Sequence, residues 1–186
     1  AKLSAGSELY SYADVGDLNE ETVISEFSDE NEGNAAKRIV YRVGSKIDAA
    51  DLEQLTDKVG WPRRPLHKVE KALANSFFVA SLHLQTLSTT SNGDGGKSYV
   101  DEELIGVTRV TSDKAFNATL WDLAIAPEYQ SKGYGKCILE RTIQTLLSLD
   151  IRTISLFAEP DVLDFYRKLG FWTEPQGIRA MFWYPR

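Results

Sequence analysis

The sequence predicts an α/β fold: a single domain with a mixed, mostly antiparallel sheet and flanking helices. Three observations carry this. Segments of period two and period 3.6 succeed one another as strand, two helices, three strands, helix, strand, helix, two strands. Three strands in succession signal antiparallel pairing, whereas strand–helix–strand calls for a crossover. The 186 residues, 42% of them hydrophobic, suffice for one domain with a real core.

The elements follow in order. RIVYRVG (38–44) alternates as a strand does. Residues 48–59 place Leu52 and Leu55 at helical spacing behind Asp48, a candidate N-cap. GWPRRPL (60–66) is a proline-punctuated loop, because each residue before proline is pushed out of helical geometry. A helix over 67–76 turns Val69, Ala72 and Leu73 inward. FFVASLHLQ (77–85) is a strand, and residues 86–101 form a long polar loop read as a mobile insertion. Strands follow at 103–111 and 118–126. Past a glycine turn, Leu139, Ile143, Leu146 and Leu147 form one apolar helical stripe. TISLFA (153–158) is a buried strand, and DVLDFYRKLG (161–170) is a short helix capped by glycine. FWTE and RAMFWYP close the chain as two strands.

Charge divides the chain unevenly. Residues 1–36 hold nine acids against one base, Lys2, while the whole chain carries −6. The reading is an acidic, flexible extension over 1–36 and a near-neutral domain over 37–186. Neither has the basic density of a nucleic-acid binder. No apolar run reaches the roughly 18 residues of a membrane span. Cys137 stands alone, so the chain forms no internal disulfide. His67 and His83 lack the company of other metal ligands, and no metal is implied.

The glycine turn, APEYQSKGYGKCILE (126–140), admits three readings. A dinucleotide fingerprint fails because Ile138 stands where a third glycine belongs, and no acid follows at the required distance. A phosphate-binding P-loop fails because one residue, not four, separates Gly133 from Gly135, and Cys137 follows Lys136. Gln130-x-x-Gly133-x-Gly135 remains, leading from a strand into a helix. Glycines permit a tight bend and close approach of an anion, and the helix start offers unpaired N–H groups. A plain tight turn without ligand fits these residues equally well.

LAIAPEYQSKGYG (123–135) followed by DFYRKLGF (164–171) resembles the Gcn5-related N-acetyltransferase superfamily. Its acetyl-CoA signature is Gln/Arg-x-x-Gly-x-Gly/Ala, and the resemblance covers about residues 37–186. VGWPRRPL, FNATLWDLAIAPEYQ and MFWYP are similar to the plastid acetyltransferases of plants and algae, including those of the serotonin N-acetyltransferase type. The resemblance implies splayed central strands, acetyl-CoA as cosubstrate, a plastid address and an amine acceptor. An arylalkylamine such as serotonin or tryptamine is the first expectation. A protein lysine or N-terminus is the second, and a non-catalytic acyl-CoA-binding module the third. Monomer and homodimer stay open.

Roles follow residue by residue from that resemblance. The backbone of Leu123, Ala124 and Ile125 would pair with pantetheine, one N–H lying near the thioester oxygen. Gln130, Ser131, Lys132, Gly133, Tyr134, Gly135 and Lys136 would hold the pyrophosphate. Tyr166 matches the tyrosine that protonates the departing thiolate. Glu159, seven residues earlier and also near the cofactor arm, is a candidate base. Asp122 is the rival base. Trp121, Trp61 and Phe116 are candidates for an aromatic acceptor pocket. Cys137 begins a helix, where a thiolate is favoured, but it also fits as a packing residue.

Overall fold

The computed structural model describes residues 21–29, 35–88 and 98–184. The chain divides into two compact units, one ending at Leu156 and one beginning at Phe157. In the first unit, strands β1 (Glu21–Asp29), β2 (Ala35–Val43), β3 (Phe78–Ser88), β4 (Ser98–Ser112), β5 (Asn117–Ile125) and β6 (Thr153–Leu156) form one sheet in chain order. All neighbours are antiparallel except β5 and β6. Helices α1 (Ala49–Lys58) and α2 (Leu66–Ala74) join β2 to β3, and α3 (Tyr134–Ser148) makes the parallel crossover.

The helices start where local chemistry starts them. Asp48 accepts a hydrogen bond from the Ala50 N–H at 2.7 Å, so it caps α1 as expected. Leu52 and Leu55 are fully buried, and Val69 is the buried residue of α2. In α3 the buried face is Ile138, Leu139, Thr142 and Leu146. Leu147, assigned inward above, is 47% exposed. The stripe therefore runs one position earlier, and Thr142 enters the core because its hydroxyl donates to the Ile138 carbonyl at 2.7 Å. The sheet contributes Ile39, Val40, Leu82, Ile105, Val107 and Val110 to the core.

Three expectations are corrected. Residues 21–29, assigned to a flexible extension, form β1 and pair along β2, with Glu21 bonded to Arg42 at 2.8 Å. An acidic strand with a solvated side is stable at a sheet edge when its acids meet cross-strand bases. Of the rest of that extension, 1–20 and 30–34 lie outside the described residues, as does 89–97 of the long loop, while Ala35 and Ala36 open β2. The loop is shorter than expected, since β3 runs to Ser88 and β4 begins at Ser98. The two closing strands do not form. Residues 171–174 and 178–184 are irregular, and a short 3-10 turn spans Pro175–Gly177. Aromatic-rich segments become strands only when a neighbour supplies the hydrogen-bond ladder.

The second unit opens with a 3-10 turn, Pro160–Val162, which runs into α4 (Leu163–Lys168). Gly170, at φ 91°, ends this helix as a left-handed residue suited to glycine.

Candidate active site

β5 is the strand on which the first unit's candidate residues converge. Its parallel pairing with β6 covers only Asn117–Leu120 against Thr153–Leu156. β6 ends there, while β5 runs on to Ile125. On its other edge β5 pairs with β4, and that ladder is bulged. Val107 faces Ala124 and Arg109 faces Trp121, so Asp122 and Leu123 together oppose Thr108. Asp122 takes φ 52°, in the left-handed region, and the Thr108 hydroxyl donates to the Trp121 carbonyl at 3.2 Å. Gly106 opposes Ile125; a Cβ there would lie 2.7 Å from the Ile125 Cδ1, so glycine makes room for that side chain.

Beyond Ile125 the chain turns through a 3-10 segment, Pro127–Tyr129. The Gln130 side chain donates to the Ile125 carbonyl at 2.9 Å and so ties the turn to the strand. Ser131 (φ 59°) and Gly133 (φ 87°) are both left-handed. Gly133 is the N-cap residue of α3 with no side-chain cap, and a Cβ built on it meets nothing within 4 Å. The space over the turn is open. The first N–H groups of α3 have no partner within the helix, and they carry the positive end of its dipole. Lys132 lies 5.4 Å from the Tyr129 ring centroid, and the Tyr134 hydroxyl is 3.2 Å from the Ser25 hydroxyl on β1. These features fit an anionic pyrophosphate at Gln130–Lys136, with an extended arm along Leu123–Ile125.

Asp122 sits in an ion-pair network. Its Oδ2 accepts from Arg109 Nε at 2.6 Å and from Arg64 Nη1 at 3.1 Å. Arg109 also donates to the Ser76 hydroxyl at 2.9 Å and the Ala72 carbonyl at 3.3 Å. Arg64 donates to Glu53 twice, from Nε and from its backbone N–H, both at 2.8 Å. Burial acts to raise the Glu53 carboxyl, but these Arg64 bonds hold it below the ordinary range. Two acids and two bases thus join α1, the 60–65 loop, α2, β4 and β5.

Trp61 stands in that loop, its N–H bonded to the Thr56 carbonyl, and it is 37% exposed. Trp121 is also 37% exposed and donates from its indole to the Thr111 hydroxyl at 2.8 Å. The structure brings the Trp61 loop to the bulge through Arg64. It does not bring Phe116 there. Phe116 precedes β5 in the β4–β5 turn, shaped by Asp113 accepting from the N–H groups of Ala115, Phe116 and Asn117. Six residue steps of about 3.3 Å each separate it from Asp122.

Within the second unit, Glu159 is exposed and precedes the 3-10 turn, its carbonyl accepting from the Val162 N–H. Tyr166 is half-buried on α4, edge-on to Phe165 at 5.1 Å and to Phe171 at 5.9 Å. Burial pushes its phenol above the usual value. The phenol therefore stays protonated across neutral pH, the state a proton donor needs.

Arg64, Arg109 and Glu53 are the residues that sequence reasoning passed over as site members. The one available signal was a double arginine held between two prolines, a rigid presentation for an otherwise flexible side chain.

Residues 51–171 match the acetyltransferase (GNAT) family. Over 159 residues the chain is 48% identical to the "GCN5-related N-acetyltransferase 2, chloroplastic" of Arabidopsis thaliana, covering 83% of this chain and 62% of that protein. It is 51% identical over 149 residues to the "Histone acetyltransferase TAP1" of Glycine max, covering 80% and 62% respectively. The rice "Serotonin N-acetyltransferase 2, chloroplastic" is 32% identical, with 78% of this chain and 66% of that protein covered. The chain thus spans less than two thirds of the length of the first two relatives. Among solved structures, a GNAT family protein of Streptococcus pneumoniae superposes with a TM-score of 0.60 at 21% identity, over 80% of this chain and 98% of that one.

Proposed function

Because this chain belongs to the acetyltransferase (GNAT) family, we propose that it transfers an acetyl group directly from acetyl-CoA to a primary amine. The observation that carries this is β5: a strand bulged at Asp122, extending past its parallel neighbour, and ending in an open left-handed turn at the head of α3. An extended thioester arm needs a free strand edge, and its diphosphate needs a helix start.

When bound, acetyl-CoA supplies the activated acetyl group. The backbone of Leu123–Ile125 holds the arm, and an N–H beside the bulge stabilises negative charge developing on the thioester oxygen. The 130–136 turn holds the diphosphate. From the second unit, Tyr166 supplies the proton donor of this reading and Glu159 its proton acceptor. Asp122 holds the bulge rather than acting as base, because its Oδ2 already accepts from two guanidinium groups.

For the acceptor, the comparisons favour a protein amine over the arylalkylamine expected first, since the relative named a histone acetyltransferase is 51% identical and the serotonin enzyme 32%. The half-exposed Trp61 and Trp121 keep an aromatic amine as the second reading. The chloroplastic names of the Arabidopsis and rice relatives place the protein in a plastid. A thiol-release assay with acetyl-CoA tests the whole reading across lysine-bearing peptides, free N-terminal peptides, tryptamine and serotonin. Acetylation of a peptide at higher kcat/KM than either small amine is the expected result. Thiol release with none of them would remove the activity.

A further inference from the structure

We infer that Arg64 is a positioning residue for the acceptor: its guanidinium locks the 60–65 loop, and Trp61 with it, onto the bulge of β5. The inference rests on the reading above, that this bulge marks the thioester end of the strand.

Three features lead to it. First, of the four charged members of the network, Arg64 alone lies on a loop. Glu53 lies on α1, Asp122 on β5 and Arg109 on β4, which are fixed by the sheet and its packed helix. Loop residues lacking such ladders take their position from side-chain ties. Pro62 and Pro65 contribute no backbone donors, so the loop is held at its start by the Trp61 N–H on Thr56, at its surface by the exposed Arg63 guanidinium on Asp57, and further in by the Arg64 N–H on Glu53.

Second, the two arginines on Asp122 are not equivalent. The Arg109 side chain is 11% exposed and also donates to the Ala72 carbonyl on α2, whereas that of Arg64 is 33% exposed. The Arg64 Nη2 is buried with no hydrogen-bond partner among the described residues. An unpaired buried donor is costly, so the Arg64 arm is held less firmly than the Arg109 arm. Arg109 shapes the bulge, and Arg64 fastens the loop to it.

Third, the contact falls on a left-handed residue. Asp122 takes φ 52°, a region uncommon for a non-glycine residue, though aspartate tolerates it better than most. The loop's tie therefore reaches the one point of β5 where the ladder to β4 is broken. Opening the loop and relaxing the bulge become parts of one equilibrium. Lysine cannot replace Arg64, because a single ammonium does not span Glu53 and Asp122 with a planar fork.

The experiment is a double-mutant cycle in the full chain with Arg64→Met, Asp122→Asn and both together. Steady-state kinetics use acetyl-CoA and a lysine-bearing peptide. Hydrogen exchange is followed over residues 59–66, with Arg64→Lys as a milder variant. Each single change should raise the acceptor KM about tenfold and leave the acetyl-CoA KM within about twofold. Each should speed exchange over 59–66, and the double variant should be no worse than the poorer single one. Arg64→Lys should fall between wild type and Arg64→Met. Fully additive effects, or wild-type acceptor KM and exchange in Arg64→Met, overturn the inference. If the wild-type protein acetylates no amine, the function reading fails, and non-additive exchange still decides the loop tie.

Discussion

Gly133 sits at φ 87° at the head of α3, with nothing where its Cβ would be. Space is no obstacle to a side chain there; conformation is. An alanine in the left-handed region costs about 1–2 kcal/mol, whereas asparagine visits it readily. Gly133→Ala should therefore lower the melting temperature by several degrees, and Gly133→Asn by much less. Either side chain would crowd the open space over the turn, so thermal shift on adding acetyl-CoA should shrink in both. Equal melting temperatures for the two variants would show that the turn relaxes to negative φ. At Tyr166 the expected effect lies in rate. Tyr166→Phe keeps the ring against Phe165 and Phe171 and removes the hydroxyl. General acid help is commonly worth about 10²–10⁴-fold, and thiolate leaves easily, so kcat should fall roughly ten- to a hundredfold with the acetyl-CoA KM nearly unchanged. Because burial raises this phenol, the alkaline limb of the wild-type rate should lie above pH 10, the ordinary tyrosine value, and should vanish in Tyr166→Phe.

At the scale of elements, α3 offers a direct measurement. Leu139 is fully buried and Leu147 is 47% exposed, although the two share one stripe by sequence spacing. Leu139→Ala should cost about 2–5 kcal/mol in urea unfolding, and Leu147→Ala less than about 1. The near miss has a physical origin: a helix period identifies the face but not which edge of it meets the sheet. Helix starts were legible because Asp48 caps α1 from within its own segment. The glycine turn was legible because backbone bending leaves its mark on residue type. β1 was not, because ETVISEFSD mixes acids with apolar residues on a two-sided edge, and its partner bases, Arg38 and Arg42, stand in another segment. The Asp122 network was invisible for the same reason, since Arg64 and Asp122 lie 58 positions apart. The closing segments read as strands on propensity alone, and propensity without a partner forms no ladder.

Across the whole molecule, acid should unfold the protein in two steps. His83 is nearly buried between the Ser81 hydroxyl at 2.9 Å and Glu102 at 3.3 Å. Burial holds its imidazole below 6.5, its ordinary value. A depressed folded pKa contributes stability that is whole above the unfolded value and lost as pH falls through the folded one. The first decline in melting temperature should thus begin just below pH 6.5. The carboxylates come next. Asp113 is held well below its usual range by the N–H groups of Asn117, Ala115 and Phe116, and Glu53 is lowered by Arg64 against its own burial. Their contribution is present above about pH 4.5 and lost below it. A series of thermal melts from pH 8 to pH 3 should resolve both steps, and His83→Gln should abolish only the first.

Strand order in the sheet equals strand order in the chain, and only the last pair needs a parallel crossover. Every earlier strand can dock on its predecessor as soon as it leaves the ribosome, with little loop-closure entropy to overcome. The turn at 130–136 and the head of α3 arrive only after five strands are in place. A nucleus built from the early meander would lack the turn proposed to hold the diphosphate, so on that reading the ligand enters the folding history after the barrier. Ligand energy gained after the barrier lengthens the life of the native state without hastening its birth. In stopped-flow experiments, saturating acetyl-CoA should slow unfolding in urea and leave the refolding rate where it was.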